Sequence, residues 1–517
     1  AWLPHFRKVS REARKLFEAG TLPPDDRQTC FTEVAINTLR GASLLPDVRH
    51  RQGILDHSHL SPAMFFASAE ALRSAAVDGC DDSILAILAF LSGLPLRATY
   101  RIPLAGFEDD WVMELDVEAG VLRTDLDQVF TKSAQPRETS AHRPAARVIV
   151  KPLPLFVADA LKVRLNENPD ARCVADLLPK ATCDGSRLAI ADEKFGIEPS
   201  VARFIHSAAA IAIHRGNDRL AAAVLTNDFG IIPVSKLYYC HIDRREIWDA
   251  AGKLYEGLGW GVSTPYADGI AFGSRVAPTR EAISDWHQWL GGELDRLKPG
   301  KNCRIESLLT FHNRFAEASA AIIVFCLASR DTARIRLTAD ALAANVESIQ
   351  LFDKKVGHLP RPLPVPVNTL VAWQARLWRA HCRALEKRFE KKAIAPDSPI
   401  RQRLKAVVNT RRVEMFFRID GKLRPQPISC HQLVHSWATK FGFDSDFGRH
   451  FWECELRSSG VKGTVIDLFL RHQVVGIEGH RSTSDRSLAA CFDEIVAAQE
   501  RVLAELCVRP LAGLAKY

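Results

Sequence analysis

Basic and imidazole side chains stand at the ends of two short helical segments near the end of the sequence. Arg449 and His450 open an aromatic amphipathic helix, Gly460 marks the turn after it, and a second short helix ends at Arg471 and His472. Guanidinium and imidazole groups donate hydrogen bonds to phosphate oxygens and stabilise negative charge there. The pattern therefore predicts that basic and imidazole groups recur at helix ends in this region.

This layout resembles the second catalytic box of the tyrosine recombinases, the phage-integrase superfamily. In that box a helix carries His-x-x-Arg, a glycine turn follows, Leu-Gly-His comes about 26 residues after the first histidine, and the nucleophilic tyrosine follows about ten residues later. Aligned on His450, the chain has Glu453 where the pattern has arginine and Arg471 where it has glycine. The resemblance implies metal-free chemistry: tyrosine attacks the scissile phosphate, two arginines and a histidine stabilise the charge, and a hairpin lysine protonates the leaving oxygen.

The second half of the chain lacks the phenol that this chemistry needs. Residues 267–516 contain no tyrosine, and Ser482, Thr483 and Ser484 stand in the position of the nucleophile. A nucleophile in this half would have to be Tyr517 or another residue type. We therefore expect this copy of the motif to be catalytically degenerate.

An earlier block of sequence repeats the layout. Arg203 and His206 open a predicted helix, a turn and a second helix follow, and Asn227 stands where the later block has its last histidine. Tyr238 and Tyr239 then occupy the position of the nucleophile. If this core cleaves DNA, we expect one of these two tyrosines to attack, with Arg203 and His206 at the phosphate.

Segments upstream of the two blocks also correspond. Residues 87–97 parallel residues 324–334. Residues 151–154 parallel residues 361–364, and both of these segments precede a predicted helix. The correspondence predicts two tandem recombinase-like cores.

Four regions result from this interpretation. We predict an N-terminal helical arm or cap at residues 1–60, a first core at residues 61–255, a helical linker at residues 256–300 and a second core at residues 301–517.

The other catalytic positions of the family are matched more loosely. Its first arginine falls near Arg97 in the first core, whereas Arg330 and Arg334 flank that position in the second. Its hairpin lysine is best matched by Lys355, or by the neighbouring Lys354. If the second core were active, its catalytic candidates would be Lys355, Arg449, His450 and His472.

A competing register of the motif lies further upstream. Residues 431–439 read His-Gln-Leu-Val-His-Ser-Trp-Ala-Thr and resemble His-x-Leu-Arg-His-Ser-x-Ala-Thr, with Val434 in place of arginine. This register starts 41 residues before His472. We keep it as an alternative.

A row of cations is predicted on one helix between the two motifs. Arg376, Arg379, Arg383 and Lys387 recur at steps of three or four residues, so a helix places them on one face. Such a face is either solvated or in contact with phosphates. The residues that we expect to contact DNA are Arg97, Arg330, Arg334, Arg376, Arg379, Arg383, Lys387, Arg449 and His472.

The composition is that of an ordinary globular protein, with 517 residues of which 47% are hydrophobic and 25% charged. The formal net charge of +8 suits a polyanionic partner. The 12 cysteines form no Cys-x-x-Cys pair and no signal peptide is visible, so we expect no metal, no cofactor and a cytoplasmic location. The longest apolar runs are too short to cross a bilayer, which predicts no membrane partner.

We expect a mainly α protein with small β-hairpins and sheets (α+β), containing a tyrosine-recombinase-like catalytic domain that is duplicated. The implied function is binding of duplex DNA as an accessory or architectural component of DNA integration or mobile-element recombination, together with a catalytically competent recombinase or other subunits. Two alternatives stay open. One is an active site-specific recombinase that uses Tyr238 or Tyr239, and the other is a helical interaction scaffold that does not bind DNA.

Overall fold

The computed structural model describes residues 60–106, 112–125, 140–182, 200–228, 239–262, 271–330, 337–343, 346–351, 355–356, 359–360, 363–429, 433, 440–472 and 487–515. Several predicted features lie outside these residues, namely the N-terminal arm up to residue 59, Tyr238, Arg334, Lys354, the alternative motif at residues 431–439 except Leu433, residues 482–484, and Tyr517.

The chain divides into two compact units. The first unit is made of residues 1–135, 145–273 and 473–477, and the second of residues 136–144, 274–472 and 478–517, as far as these ranges are described.

The first unit packs short helices around a three-stranded antiparallel sheet. Its elements are α1 (Pro62–Val77), α2 (Asp81–Ser92), α3 (Leu96–Thr99), β1 (Met113–Asp116), β2 (Val121–Asp125), β3 (Val148–Pro152), α4 (Leu155–Glu167), α5 (Val174–Leu177), α6 (Val201–His214), α7 (Arg219–Thr226), β4 (His241–Asp243), α8 (Arg244–Gly257) and β5 (Ala271–Gly273). The sheet order is β1-β2-β3, and β4 pairs with β5.

Aromatic rings from three helices fill the centre of the first unit. Phe65 of α1 stacks on Phe204 of α6 with ring centroids 4.6 Å apart, and Phe90 of α2 lies 5.1 Å from Phe204. Ser61 and Ser200 cap the N-termini of α1 and α6 with their hydroxyl groups. Polar caps before apolar helical runs therefore begin the helices, and the buried rings hold them together.

The second unit is built around two long helices. Its elements are α9 (Arg280–Leu297), α10 (Ile305–Cys326), β6 (Ser348–Leu351), β7 (Lys355–Val356), β8 (Leu359–Pro360), β9 (Leu363–Pro366), α11 (Thr369–Lys391), α12 (Pro399–Val408), β10 (Phe417–Ile419), β11 (Pro425–Pro427), α13 (Phe447–Ser458), α14 (Gly463–Phe469) and α15 (Leu488–Glu505). The strand pairs β6-β9, β7-β8 and β10-β11 are antiparallel hairpins or ribbons.

Helix α10 runs through the core of the second unit. From Ala318 to Cys326 every one of its side chains is buried, so this half of the helix is apolar all round and contacts neighbours on every side. Phe325 packs against Phe447 and Trp452 of α13 with ring centroids 5.6 and 5.4 Å away. The end of α10 is therefore surrounded by other elements.

The observed fold confirms the coarse prediction of a mainly helical protein with small antiparallel sheets. In the described parts of the chain, no helix combines the length and the apolar character that crossing a membrane requires.

The residues expected to form a linker are packed into the two units instead. Trp260 and Phe272 belong to the core of the first unit. Helix α9 begins at its Thr279 cap, as predicted, but it buries Ile283 and Trp286 in the core of the second unit. A helix with an apolar stripe is stabilised by packing, which explains why this segment does not stand between the cores.

The predicted match between residues 151–154 and residues 361–364 is shifted. Pro154 directly precedes α4, as expected. In the second unit, however, Pro364 lies within β9, and the cap of α11 is Asn368, whose side chain accepts a hydrogen bond from the Val371 amide. An asparagine side chain can satisfy a free amide at a helix start, whereas a proline side chain cannot.

Candidate functional site

The basic residues of the motif gather at the C-terminal end of α10. The last carbonyl groups of a helix have no partner within the helix and carry partial negative charge. Here side chains donate to four consecutive carbonyl groups, the last two of α10 and the two that follow it. Trp452 donates to the Phe325 carbonyl at 2.9 Å and Gln499 donates to the Cys326 carbonyl at 2.8 Å.

Two arginines complete this cap. Arg471 donates to the Leu327 carbonyl at 3.2 Å, and both Arg471 and Arg449 donate to the Ala328 carbonyl. Ala328 has a φ of 46°, so the chain turns sharply there and exposes its carbonyl to both guanidinium groups. Positive charge at a helix C-terminus is stabilising. The arginines thus serve first as a cap of α10.

Arg449 also contacts the histidine of the motif. Its Nη2 lies 2.8 Å from His472 Nε2, and the two residues are 23 positions apart. Because a guanidinium group only donates, His472 Nε2 must accept, which makes the ring neutral with its proton on Nδ1. Two residues of the predicted motif, Arg449 and His472, are therefore in contact in the structure.

The expectation that Arg449 and His472 contact DNA stays a prediction, and both side chains are buried in this structure. Their relative exposures are 0% and 1%. Arg449 uses its donors on the Ala328 and Leu470 carbonyls and on His472. Contact of either side chain with a duplex would require the surrounding residues to move.

Arg471 is the residue that the sequence analysis left out of the site. It is fully buried, has a φ of 58°, and donates to the Phe469 carbonyl at 3.0 Å in addition to the cap of α10. A left-handed conformation costs a side-chain-bearing residue about 1 kcal/mol, which buried charge-assisted hydrogen bonds offset. The only sequence feature that pointed to a role for Arg471 in the site was its position directly before His472 at a helix end.

His450 points to a different neighbour. Its Nδ1 lies 2.6 Å from Ser274 Oγ and its Nε2 lies 3.6 Å from Asp446, while Glu453 pairs with Arg457 at 3.2 Å. His450 is fully buried. These hydrogen bonds and ion pairs of His450 and Glu453 are therefore with Ser274, Asp446 and Arg457.

A buried carboxylate fixes the orientation of α13 within the second unit. Glu455 is 1% exposed and accepts hydrogen bonds from Arg143 and from Arg280 Nη2 at 2.6 Å. Arg280 also pairs with Glu505 of α15 at 2.8 Å. The pKa of Arg280 is raised by its hydrogen bond to Glu455. These ion pairs tie α13 to the start of α9 and to α15.

The first unit caps α2 in a related way. Asn227 Nδ2 donates to the Ser92 carbonyl at 2.9 Å, and Lys151 Nζ donates to the Leu91 carbonyl at 2.7 Å. Lys151 is fully buried, and this burial moves its pKa well below the usual value. Polar side chains therefore meet the end of one buried helix in each unit.

The catalytic candidates of the first unit do not form a described cluster around a phosphate. Arg203 and His206 are half-buried on α6, where the Arg203 amide bonds to the Ser200 cap at 3.2 Å. Tyr239 is 7% exposed. Arg203 and His206 therefore lie on a helix, as predicted, and their role at a phosphate stays a prediction.

The remaining predicted positions are scattered. Arg97 is exposed on α3, and Arg330 is half-buried just beyond α10. The backbone of Lys355 lies in β7, which pairs with β8 in a hairpin as the resemblance implied, and its side chain is outside the described part.

Helix α11 presents the most exposed cations of the predicted set. Arg376, Arg383 and Lys387 are exposed and lie on one face of the helix. Arg379 is half-buried and donates to the Leu342 carbonyl, so it leaves the predicted row. Burial lowers the pKa of Arg379, and the neighbouring charge of Arg376 lowers it further. The row available to a partner therefore has three members.

Among the described residues, no group of three or more histidine, cysteine, aspartate or glutamate side chains is placed to hold a metal ion. Comparison of the chain with protein-family models, with curated proteins and with solved structures gives no match.

Proposed function

We propose that this protein binds duplex DNA as a catalytically degenerate, tyrosine-recombinase-like accessory component. The observation that carries DNA binding is the exposed row of Arg376, Arg383 and Lys387 on α11. Cations on one helix face can contact successive phosphates of a duplex, and release of condensed counterions then favours binding. Binding of DNA through this face requires no nucleophile.

The recombinase type of the protein is supported by a corrected register of the motif. With Arg449 as the arginine of His-x-x-Arg, Asp446 takes the place of the histidine and stands 26 residues before His472. Gly460, with a φ of 77°, forms the turn between the two helices. This register has the spacing of the family and pairs Arg449 with His472, as the resemblance implies.

Duplication of the core is supported by equal spacing in the two units. Gly216 and Asn227 of the first unit, and Gly460 and Arg471 of the second, are 11 residues apart and all have positive φ. In this register Ile205, and not Arg203, stands opposite Arg449. The shared layout favours descent of the two units from one core.

Catalytic degeneracy is supported by the hydrogen bonds that two arginines of the second unit make. Arg449 and Arg471 bind carbonyl groups at the end of α10 and are buried. In active recombinases the arginines stabilise charge on the attacked phosphate, so donors engaged elsewhere weaken that role. The absence of tyrosine from residues 267–516 removes the nucleophile as well.

The salt dependence of DNA binding tests the proposal. Replacing Arg376, Arg383 and Lys387 together by glutamine should flatten the slope of log affinity against log salt by about two to three units, because each phosphate contact contributes about 0.9. Fluorescence anisotropy with a labelled duplex at several salt concentrations measures this slope.

A matched variant controls for the loss of charge. Arg172, Lys180 and Lys253 are exposed cations of the first unit, and their replacement by glutamine removes the same charge away from α11. We expect a smaller change in slope. Equal slopes for the two triple variants would remove α11 from the interface, and absence of salt-dependent binding by the wild type would favour the interaction scaffold.

A further inference from the structure

A shallow cleft opens beside the first half of α11, at the end of the exposed row. Leu342, Val346 and Val367 contribute apolar walls, and Arg376 and Arg379 contribute positive charge. The described residues that line the cleft include no carboxylate. The cleft therefore combines apolar surface with two cations.

The two arginines favour an anion at this place. Arg379 donates Nη2 to the Leu342 carbonyl, while its buried Nε has no hydrogen-bond partner among the described residues. Desolvation disfavours the charge of Arg379, and the like charge of Arg376 adds to this effect. A phosphate bound by the exposed Arg376 guanidinium, with Arg379 close by, would relieve the repulsion between the two cations.

An aromatic side chain lies on the same stretch of helix. Trp373 is 38% exposed, and the guanidinium carbon of Arg376 lies 5.5 Å from the centre of its ring. An exposed indole next to arginine provides a stacking surface for an unpaired base. Paired bases inside a duplex do not present their faces in this way.

We propose that this cleft binds one unpaired nucleotide of a DNA strand, with its phosphate at Arg376 and Arg379 and its base on Trp373. The inference rests on the DNA binding proposed above. Since Arg383 and Lys387 continue along the same helix, the strand would run from the duplex on this row into the cleft. The protein would then prefer DNA with a frayed end, gap or short overhang.

The test compares a fully paired duplex with the same duplex carrying an overhang of three thymidines, by anisotropy at one salt concentration. We expect the overhang to tighten binding of the wild type about tenfold, which corresponds to stacking of one base. Trp373→Ala should abolish this preference and leave affinity for the paired duplex unchanged. Trp373→Phe should retain most of it, and Val163→Ala, at an exposed apolar residue of the first unit, should retain all of it.

The outcomes separate this inference from the proposed function. Binding of both DNAs with equal affinity, or an overhang preference that survives Trp373→Ala, overturns the cleft assignment alone. Failure to bind either DNA overturns both. A further outcome is that the protein shows no overhang preference but binds an aspartate- and glutamate-rich peptide, with weaker binding by the Trp373→Ala variant. This result would overturn the nucleotide assignment and indicate that the cleft binds an acidic protein segment.

Discussion

Two buried histidines form a hydrogen-bonded chain in the core of the second unit. The Leu514 amide lies 3.2 Å from His381 Nδ1, His381 Nε2 lies 3.0 Å from His312 Nδ1, and His312 Nε2 lies 3.1 Å from the Phe417 carbonyl. Since an amide only donates and a carbonyl only accepts, both rings are neutral with the proton on Nε2. Each added proton would break one of these hydrogen bonds.

This chain predicts loss of stability on mild acidification. Burial lowers the pKa of His312 to about 3, and burial with the neighbouring His312 and Arg388 lowers the pKa of His381 well below 6.5. The unfolded chain takes up protons near pH 6.5 while the folded chain does not. Stability is therefore complete above pH 6.5 and decreases from there toward pH 3, by up to about 1.4 kcal/mol per pH unit for each ring.

Urea unfolding between about pH 7.5 and pH 5 measures this dependence, because most carboxylates stay ionised in that window. His312→Gln should lower stability at neutral pH and flatten the dependence. A wild-type free energy of unfolding that does not change over this window would contradict the neutral chain.

At the residue scale, the sequence placed Arg449 and His472 in one motif, and the two side chains are in contact in the structure. The motif did not specify the other partners of Arg449. It could not show that Ala328 turns with a positive φ and offers its carbonyl to Arg449 and Arg471, because that depends on how α10 ends against three other helices. Burial of a charged residue is a property of the packed structure.

At the element scale, helix starts could be predicted where a capping side chain precedes an apolar run. Ser200 and Thr279, which precede apolar helical runs in the sequence, cap α6 and α9. The predicted start of α11 is too early. Prolines are common before helices, which favoured a helix start after Pro362 and Pro364, but the strand β9, which contains two prolines, lies at this place. Proline marks a boundary but does not say whether a strand or a helix begins.

The segment after α15 docks tightly on the core, and one glycine makes this possible. A Cβ atom on Gly513 would lie 2.7 Å from His381 Cβ and 2.8 Å from Phe315 Cε1. We expect Gly513→Ala to destabilise the protein by about 1–3 kcal/mol, because the buried neighbours must shift. Thermal or urea unfolding measures the change.

The same substitution elsewhere gives the control. Gly292 lies inside α9 with open space where a Cβ atom would stand, so Gly292→Ala should raise stability by about 0.5–1 kcal/mol through helix propensity. Opposite signs for the two variants support close docking of the final segment. Equal effects would contradict it.

At the scale of the molecule, the unit boundaries depend on contacts between distant parts of the sequence. Residues 136–144 belong to the second unit although they lie between two segments of the first. Within that unit Arg143 pairs with Glu455, 312 positions away, and its amide bonds to the Ala277 carbonyl. Hydrophobic periodicity and turn residues indicate local structure only. The sequence therefore predicted two cores, but it could not predict that residues 136–144 pack with the second one.

The whole protein is expected to form no covalent bond with DNA. A phosphotyrosyl bond needs a phenol at bonding distance from phosphorus, and a serine nucleophile needs a base to activate it. Tyr517 is the one tyrosine in the sequence of the second unit, Ser482 and Ser484 stand in the position of the nucleophile, and in the first unit Tyr239 is buried. Incubation with a nicked suicide substrate, followed by digestion and mass spectrometry of nucleotide-linked peptides, tests this expectation.

Each position of an adduct has a distinct meaning. An active tyrosine recombinase on its own nicked site serves as the positive control, and the wild-type protein should give no linked peptide under the same conditions. A peptide linked at Tyr517, Ser482 or Ser484 would contradict degeneracy of the second unit. A peptide linked at Tyr238 or Tyr239, lost in the corresponding phenylalanine variant, would assign strand cleavage to the first unit and make the protein an active recombinase.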